Sequence, residues 1–437
     1  MRKILPILGL LLLLAGPAWA GSYDVFGTGS RAIAMGGAYA AISDDLSGLW
    51  YNTAAIAHVE RLHTELGYVY AEPTLTINGR EQDIDKHSGT TLGGILSTKI
   101  WSHRLSLGLN FFMPDAHLMR FLVLSTNQPH QAFTHNANHS FTTLMGAGVE
   151  IFPWMSAGLG VNLLASEVGG VNFSITEDKP SEGNVFSNLS PLYALMAGLH
   201  FQPLKQLRVG AAFRDKVEMH FELPNVIKIP PLKIFDGNRV AILRETQLNL
   251  LAVSNSHFSP RTYSLGVAYE PTPRFLASAD VDFCQWSAMR SDAPRAEVYV
   301  NGGLADIFPT SPAPAPKEPD FNDTFVYAVG VEGRPLLTDS WRLDLRGGYR
   351  YRPTPIPNQN SVNNYLDADT HVFSAGIGAR GDKLSEYLPR SVQLDGYYQY
   401  QYSPERIYHK ASANDFVGDL RFDQNWWAVG SSVTLRF

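Results

Sequence analysis

Apolar and polar residues exchange places at every second position over most of this chain. In "RTYSLGVAYE", Tyr263, Leu265, Val267 and Tyr269 fall on one face and Thr262, Ser264, Gly266, Ala268 and Glu270 on the other. A period of two over that length predicts a β-strand. "SWRLDLRGGYRYR" sets Trp341, Leu343, Leu345, Tyr349 and Tyr351 opposite Arg342, Asp344, Arg346, Arg350 and Arg352. "SVQLDGYYQYQY" sets Val392, Leu394, Tyr398, Tyr400 and Tyr402 against Gln393, Asp395, Gln399 and Gln401. "LRVGAAFRDKVEMHFE", from Leu207 to Glu222, reads as one more long strand with Arg208, Arg214 and Lys216 on its polar face. So much charge does not point into a dry sandwich core. The runs, about ten to fifteen residues long, also exceed the about five or six usual in soluble sheets. An apolar face with Tyr and Trp near its ends, backed by a charged face, fits an outer-membrane barrel with lipid outside and a polar lumen.

The spacing between strands orients this barrel, because bacterial barrels join strands by short periplasmic turns and longer outer loops. Short connections lie near Ile100, Pro153, Pro203, Pro271, Arg334 and Gly381. Long ones lie roughly at 72–90, 114–138, 170–190, 223–258, 289–321, 353–370 and 403–423. Seven outer loops and six inner turns give about fourteen strands, an even number as such barrels require. The last strand, "WWAVGSSVTLRF", puts Trp427, Val429, Val433, Leu435 and Phe437 on one face. A terminal aromatic there resembles the signal read by the barrel assembly machinery.

Residues 21 to about 60 do not alternate and are not barrel wall. A ring of about fourteen strands leaves a lumen that side chains alone do not fill. The Ala- and Gly-rich stretch "RAIAMGGAYAAISDDLSGLWYNTAA", from Arg31 to Ala55, suits a segment folded inside it. The expected fold is therefore an all-β transmembrane antiparallel barrel with an N-terminal hatch, or plug, in its lumen. Residues 1–20 form a signal peptide, 21–60 the hatch and 61–437 the barrel. Within the hatch, Ser43 is placed to cap a short helix, with Asp44 and Asp45 near its positive end. The sharper alternative is that the two carboxylates bind a cation, but capping explains them without a ligand.

Export follows from the first twenty residues: Arg2 and Lys3, the run "ILPILGLLLLLAG", then "AWA" before Gly21. Hydrophobic residues make up 45% of the chain and charged ones 17%, yet no later segment approaches the ~20 apolar residues of a membrane helix. Any membrane role must use strands. The one cysteine, Cys284, excludes an intramolecular disulfide. Loss of Arg2 and Lys3 takes the formal charge from −6 to −8, which argues against a nucleic-acid partner.

The opening stretch resembles that of the FadL/TodX transporters, which carry long-chain fatty acids and other hydrophobic compounds in the outer membranes of Gram-negative bacteria. The matching residues are Gly29, Arg31, Ala32, Gly36 or Gly37 with Ala38, then Asp44, Asp45, Asn52 and Ala54. Thr53 stands where the family usually carries Pro. "SPRTYSLGVAYEPTPRFLASADVDFCQWS", "DTFVYAVGVEGRP" and "LRGGYRYRPTPIPNQN" followed by "LDADTHVFSAGIGAR" resemble the family too, so the likeness runs in ordered blocks from Gly21 to Phe437. It implies a fourteen-strand barrel with a hatch, working as a passive carrier that needs no cofactor. In that mechanism a ligand is captured on a greasy outer patch and passed to a pocket lined partly by the hatch. Hatch movement then opens a lateral path into the bilayer.

Several residues are candidates for these roles. Phe26, Leu46, Leu49, Trp50, Tyr51 and Ile56 are the bulky apolar groups a hatch can present to a greasy ligand. In "PNVIKIPPLKIF", Val226, Ile227, Ile229, Leu232, Ile234 and Phe235 form an apolar run outside the membrane that either captures ligand or packs on neighbouring loops. Arg208, Arg214, Lys216, Arg342, Arg346 and Arg350 face the lumen, where they meet a carboxylate head group or pair with Asp280, Asp282, Asp344, Glu218 and Asp395 or with hatch carbonyls.

Other classes fit less well. The cluster "PHQAFTHNANH" offers His135 and His139 at metal-ligand spacing, but Asn, Pro and Gln around them read as a surface loop. No metal centre and no nucleophile motif points to an enzyme. A general porin shares the barrel and charged lumen but has no use for about forty residues of plug. A hatch-bearing barrel serving as a scaffold or secretion partner, or carrying aromatic hydrocarbons, remains as the alternative. The expected partners are the bilayer, a hydrophobic ligand and the assembly machinery, and the expected state is a monomer.

Overall fold

The alternating segments close into a ring in a computed structural model that describes residues 22–115, 129–131, 141–174, 182–229, 231–236, 239–291, 295–302, 305, 318–358, 364–382, 390–410 and 418–437. The signal peptide and the His135/His139 cluster lie outside the described residues. The wall strands, numbered here in chain order, begin with β1 (Leu62–Ile77), β2 (His87–Ile100), β3 (His103–Pro114), β4 (Thr142–Phe152) and β5 (Met155–Ser174). They continue with β6 (Glu182–Leu204), β7 (Leu207–Arg214), β8 (Arg261–Thr272), β9 (Phe275–Gln285) and β10 (Thr324–Leu337). The last four are β11 (Trp341–Arg352), β12 (Thr370–Asp382), β13 (Ser391–Tyr408) and β14 (Leu420–Arg436). Each pairs antiparallel with its neighbour, and β14 closes on β1 from His63 opposite Arg436 to Ile77 opposite Phe422. The result is a closed 14-strand antiparallel barrel. Closure leaves the wall no exposed edge, which lipid demands because it cannot satisfy free backbone groups.

Side chains follow the pleat. Tyr263, Leu265, Val267 and Tyr269 are exposed outward, whereas Thr262, Ser264 and Ala268 between them are buried. On β13, Leu394, Tyr398, Tyr400 and Tyr402 face out, while Gln393, Asp395, Gln399 and Gln401 face in and are buried. Short turns close one end, and Phe152, Trp154, Trp101, Phe275 and Trp341 are exposed beside them, an interfacial aromatic belt.

Two expectations need correction. The run from Leu207 to Glu222 is not one strand: β7 stops at Arg214, and a new strand, Val217–Ile229, begins after Asp215 and Lys216. Val217, expected on the lipid face, is buried. The stretch 223–258 is not an irregular loop either. Val217–Ile229 pairs with Thr246–Ser259, which pairs in turn with Arg295–Gly302, and Leu232–Asp236 pairs with Arg239–Leu243. This sheet stands on the long-loop end and joins the wall by parallel pairing with the outer part of β5. The connections at 72–90, 170–190 and 403–423 are likewise shortened by strands that run on past the expected boundaries.

Residues 22–59 lie inside the ring. They form α1 (Ser22–Phe26), α2 (Ser30–Ala34), α3 (Gly48–Tyr51) and a 3-10 turn, Ala55–His58, joined by tight turns. Gly29 precedes α2 with φ 77°, a value that suits glycine. Tyr39, Ile42, Leu46, Leu49 and Ile56 are fully buried here, with the wall residues Ile95, Phe112 and Leu144 in the same core.

Candidate functional site

The N-terminal segment is fastened to the inner wall all round. Asp280 Oδ2 on β9 accepts the amides of Tyr39 and Ala40, each at 2.7 Å. Ser278 donates to the carbonyl of Ala38, Ser156 to that of Ala54 and Gln401 to that of Val25. Asn52 does three tasks: Nδ2 donates to Ala40 O at 2.8 Å and Leu199 O at 3.0 Å, and Oδ1 accepts the amide of Ala54. That last bond makes an Asx turn around Thr53, holding by a side chain what a fixed proline φ would otherwise set.

Near the short-turn end the fastening is ionic. Glu332 on β10 is 0% exposed and accepts from Arg31 Nε at 2.7 Å, Arg334 at 2.8 Å, Arg346 at 2.8 Å and Arg342 at 3.3 Å. Arg346 also meets Asp344 and Asp395, Arg334 meets Glu270, and Arg208 bridges Glu270 and Asp44. Arg31, Arg208, Arg334, Arg342 and Arg346 are thus matched by Asp44, Glu270, Glu332, Asp344 and Asp395. Each buried charge has an opposite one in reach, as a desolvated charge requires.

The carboxylates of the segment take other roles than capping. Ser43 does not cap a helix; its hydroxyl donates to Tyr39 O at 2.7 Å, and its backbone has φ 34°. Asp44 joins the ionic network through Arg31 at 2.6 Å. Burial acts to raise Asp44, but Arg31 first, then Arg208 and Arg342, hold it at about 2. Asp45 accepts from Tyr39 Oη, Ser47 N and Ser47 Oγ, and burial followed by the charge of Asp44 pushes it upward. Arg, Tyr and Ser therefore occupy the oxygens that a cation would use, and among the described residues no group of metal-ligating side chains gathers.

The bulky residues divide into two sets. Leu46 packs toward Gly93, Leu49 toward Gly108 and Gly146, and Ile56 toward Gly148, so these three press on the wall rather than on open lumen. Phe26 stacks on His87 at 4.8 Å and meets Trp426 edge-on. Trp50 and Tyr51 instead lie beside Arg214 and Arg350, nearer the long-loop end than the ionic network. Arg214 sits 4.4 Å over the Trp50 ring and donates to Trp50 O at 3.3 Å. Arg350 reaches Asp282 at 3.4 Å, and its Nε is buried without a partner among the described residues. Lys216 is exposed and pairs with Glu218 at 2.9 Å. Of the expected outer patch, Val226 and Ile227 are half-buried, and Ile229, Leu232, Ile234 and Phe235 belong to the outer strands described above. Sequence reasoning missed Glu332 and Arg334, although both sit at polar positions of the alternating run "VYAVGVEGRP".

One sector of the wall is thinned. Ala147, Gly148, Ala157, Gly158, Ala197, Gly198 and Ala211 line a recess of ≈ 810 Å³ on the lipid face, rimmed by Leu105, Leu159, Phe213, Tyr263 and Leu265. Directly inside it, a methyl group added to Gly158 would overlap the backbone of Thr53, and one added to Gly198 would overlap Asn52 Oδ1. Backbone alone separates the segment Asn52–Ala54 from the lipid side.

Residues 102–437 match the family model described as outer membrane protein transport protein (OMPP1/FadL/TodX). The chain belongs to this family. Among solved structures, a Pseudomonas aeruginosa FadL homologue is similar at TM-score 0.56 and 16% identity, covering 97% of this chain and 99% of that one. The P. putida toluene transporter TodX gives 0.55 and 14%, covering 95% and 99%, and the CymD monoaromatic hydrocarbon channel gives 0.53 and 15%, covering 95% and 99%. No curated protein matches. This FadL/TodX protein is accordingly an outer-membrane barrel and a passive transporter of hydrophobic compounds, not an enzyme.

Proposed function

We propose that this transporter carries long-chain fatty acids, with residues 22–59 acting as a hatch that holds the ligand below the outer loops and releases it sideways. The observation that carries the reading is the unequal pairing of the lumen arginines. Arg208, Arg342 and Arg346 are locked into the balanced network, whereas Arg214 and Arg350 flank Trp50 and Tyr51, and of these two Arg350 alone has an ion pair among the described residues, a 3.4 Å contact with Asp282. Two guanidinium groups beside two aromatic rings suit an amphiphile: the forks take a carboxylate, and the rings cover the start of its chain. The apolar run from Val226 to Phe235 on the long-loop side supports capture there. The recess opposite Asn52–Ala54 supports an exit into lipid, where each buried methylene gains about 0.8 kcal/mol.

A second reading, carriage of monoaromatic hydrocarbons, is favoured by the described cargo of TodX and CymD. Uptake of labelled oleate and labelled toluene by cells that lack the transporter, complemented with wild type or Arg350→Gln, separates the two. The fatty acid reading expects oleate uptake to fall about tenfold in the variant, the loss of one charged hydrogen bond, with toluene unchanged. Wild-type uptake of toluene but not oleate would replace it with the second reading.

A further inference from the structure

A histidine pair bridges the hatch and the thinned wall. His58 closes the 3-10 turn Ala55–His58, and His200, 2% exposed, points inward from β6 two positions beyond Gly198. His58 Nε2 lies 3.1 Å from His200 Nδ1, and His200 Nε2 lies 3.1 Å from the carbonyl oxygen of Ala41. A carbonyl only accepts, so His200 Nε2 bears a proton and donates it. Nδ1 of the neutral ring is then a lone pair that accepts from His58 Nε2–H. Ser156 Oγ, which donates to Ala54 O, stands 3.4 Å from the same His58 nitrogen. Two turns of the hatch, at Ala41 and at His58, thus depend on one wall imidazole beside the window.

We infer that His58 and His200 form an acid-sensitive latch, which holds the hatch to the wall while the pair carries at most one added proton and releases it at the second. The first extra proton is accommodated: it adds to the free lone pair of His58 Nδ1, and His58 Nε2–H still donates to His200 Nδ1. The second removes the acceptor, because N–H then faces N–H across the pair and two cations sit with ring centroids 4.7 Å apart.

The surroundings fix the direction of the response. The 3-10 turn packs on β3, β4, β5 and β6. His103 and Arg104 come from β3, Glu150 from β4 and His200 from β6, while the described side chains of β5 include no titratable group. Arg104 donates to the carbonyl of His58 itself at 3.3 Å. Burial is the largest influence on His58 and lowers it below the ordinary 6.5; Glu150 and Asp44 oppose this, and Arg104 and Arg208 add to it. A base lowered by folding is fully stabilising above 6.5 and loses that contribution as pH falls through the lowered value. The latch is therefore closed at neutral pH and opens in acid.

Ion conductance of the full-length protein in planar lipid bilayers, followed from about pH 7.5 to about pH 3.5, tests the latch. It reads hatch release whichever ligand is carried, so its failure is separable from failure of the fatty acid reading. Wild-type conductance is expected to rise several-fold on acidification and to fall back on neutralisation. His200→Gln keeps a donor for Ala41 and an acceptor for His58 but does not titrate; it is expected to retain the neutral-pH conductance and lose most of the acid rise, and His58→Gln likewise. The latch is overturned if wild-type conductance ignores pH, if both variants respond as the wild type does, or if the rise coincides with loss of the heat-modifiable folded band on gels.

Discussion

Arg31 Nε donates to Glu332 Oε2 at 2.7 Å across 301 positions of the chain, and Glu332 is the acceptor that three wall arginines share. The hatch supplies one arginine to a carboxylate that the wall has already surrounded with positive charge. That arrangement makes the two partners unequal. Removing Arg31 leaves Glu332 still neutralised by three neighbours, whereas removing the charge of Glu332 leaves the four guanidinium groups around it one carboxylate short.

Glu332→Gln is therefore expected to cost more than Arg31→Gln. Breaking a buried ion pair from the side that strands the other charges costs about 3–5 kcal/mol. The expected outcome is a clear fall in the temperature at which the folded barrel converts to its unfolded gel mobility, with raised resting conductance. Arg31→Gln is expected to raise conductance with a smaller shift in that temperature. Equal effects of the two variants would mean that Glu332 is not the centre of the network.

The window between hatch and lipid can be probed from each face of one strand. Gly198 is buried against Asn52, while Ala197, its neighbour on β6, lines the outer recess. Gly198→Val pushes a side chain into Asn52 and is expected to unseat the hatch and raise ion conductance. Ala197→Leu fills the recess from the lipid side and is expected to slow release of a fluorescent fatty acid to the membrane while conductance stays at the wild-type level. Release that Ala197→Leu does not slow would mean that the ligand leaves elsewhere.

Period two was strong enough to expose the wall from residues alone, since a barrel strand must put lipid and lumen on opposite sides of every pleat. The turn at Asp215 and Lys216 was hidden because the alternation continues through it in "RDKVEMHFE", and only the parallel pairing with β5 redirects the strand. Non-alternation marked residues 21–60 as different from the wall, but not their fastenings. Asp280 was a plausible counter-ion for a lumen arginine, yet it takes two backbone amides, a use that no spacing along β9 reveals. Which arginines are locked and which are not depends on partners dozens to hundreds of positions away. A histidine at an inward position of "MAGLHFQ" was the one available hint of the His58–His200 contact.

Asp44 gives a pH dependence of its own, distinct from that of the histidines. Its carboxyl is held at about 2 in the fold against an ordinary 3.8. A lowered acid contributes stability that is complete above 3.8 and is lost as pH falls through about 2. Asp44→Asn is expected to be less stable than wild type at neutral pH by a small margin, because the side chain is 35% exposed and solvent screens the pair. Thermal conversion of both proteins measured at descending pH should show this margin constant down to about pH 4 and closing below it. A margin that closes while the pH is still above about 4 would instead place Asp44 within the histidine response.

Thr53 departs from the family pattern that the opening stretch resembles, and its hydroxyl is buried without a hydrogen bond among the described residues. Its methyl group packs toward Gly146 and Gly160. A buried unpaired hydroxyl costs about 1–3 kcal/mol, and an apolar group of the same shape removes that cost without opening a cavity. Thr53→Val is therefore expected to raise the conversion temperature of the folded barrel and leave resting conductance unchanged, since the Asx turn from Asn52 Oδ1 to the Ala54 amide is untouched. Asn52→Ala removes that turn together with the bonds to Ala40 and Leu199, and is expected to lower the conversion temperature and raise resting conductance. If Thr53→Val lowers the conversion temperature, the hydroxyl has a partner, such as an ordered water at the window, and the backbone there is wetter than its packing implies.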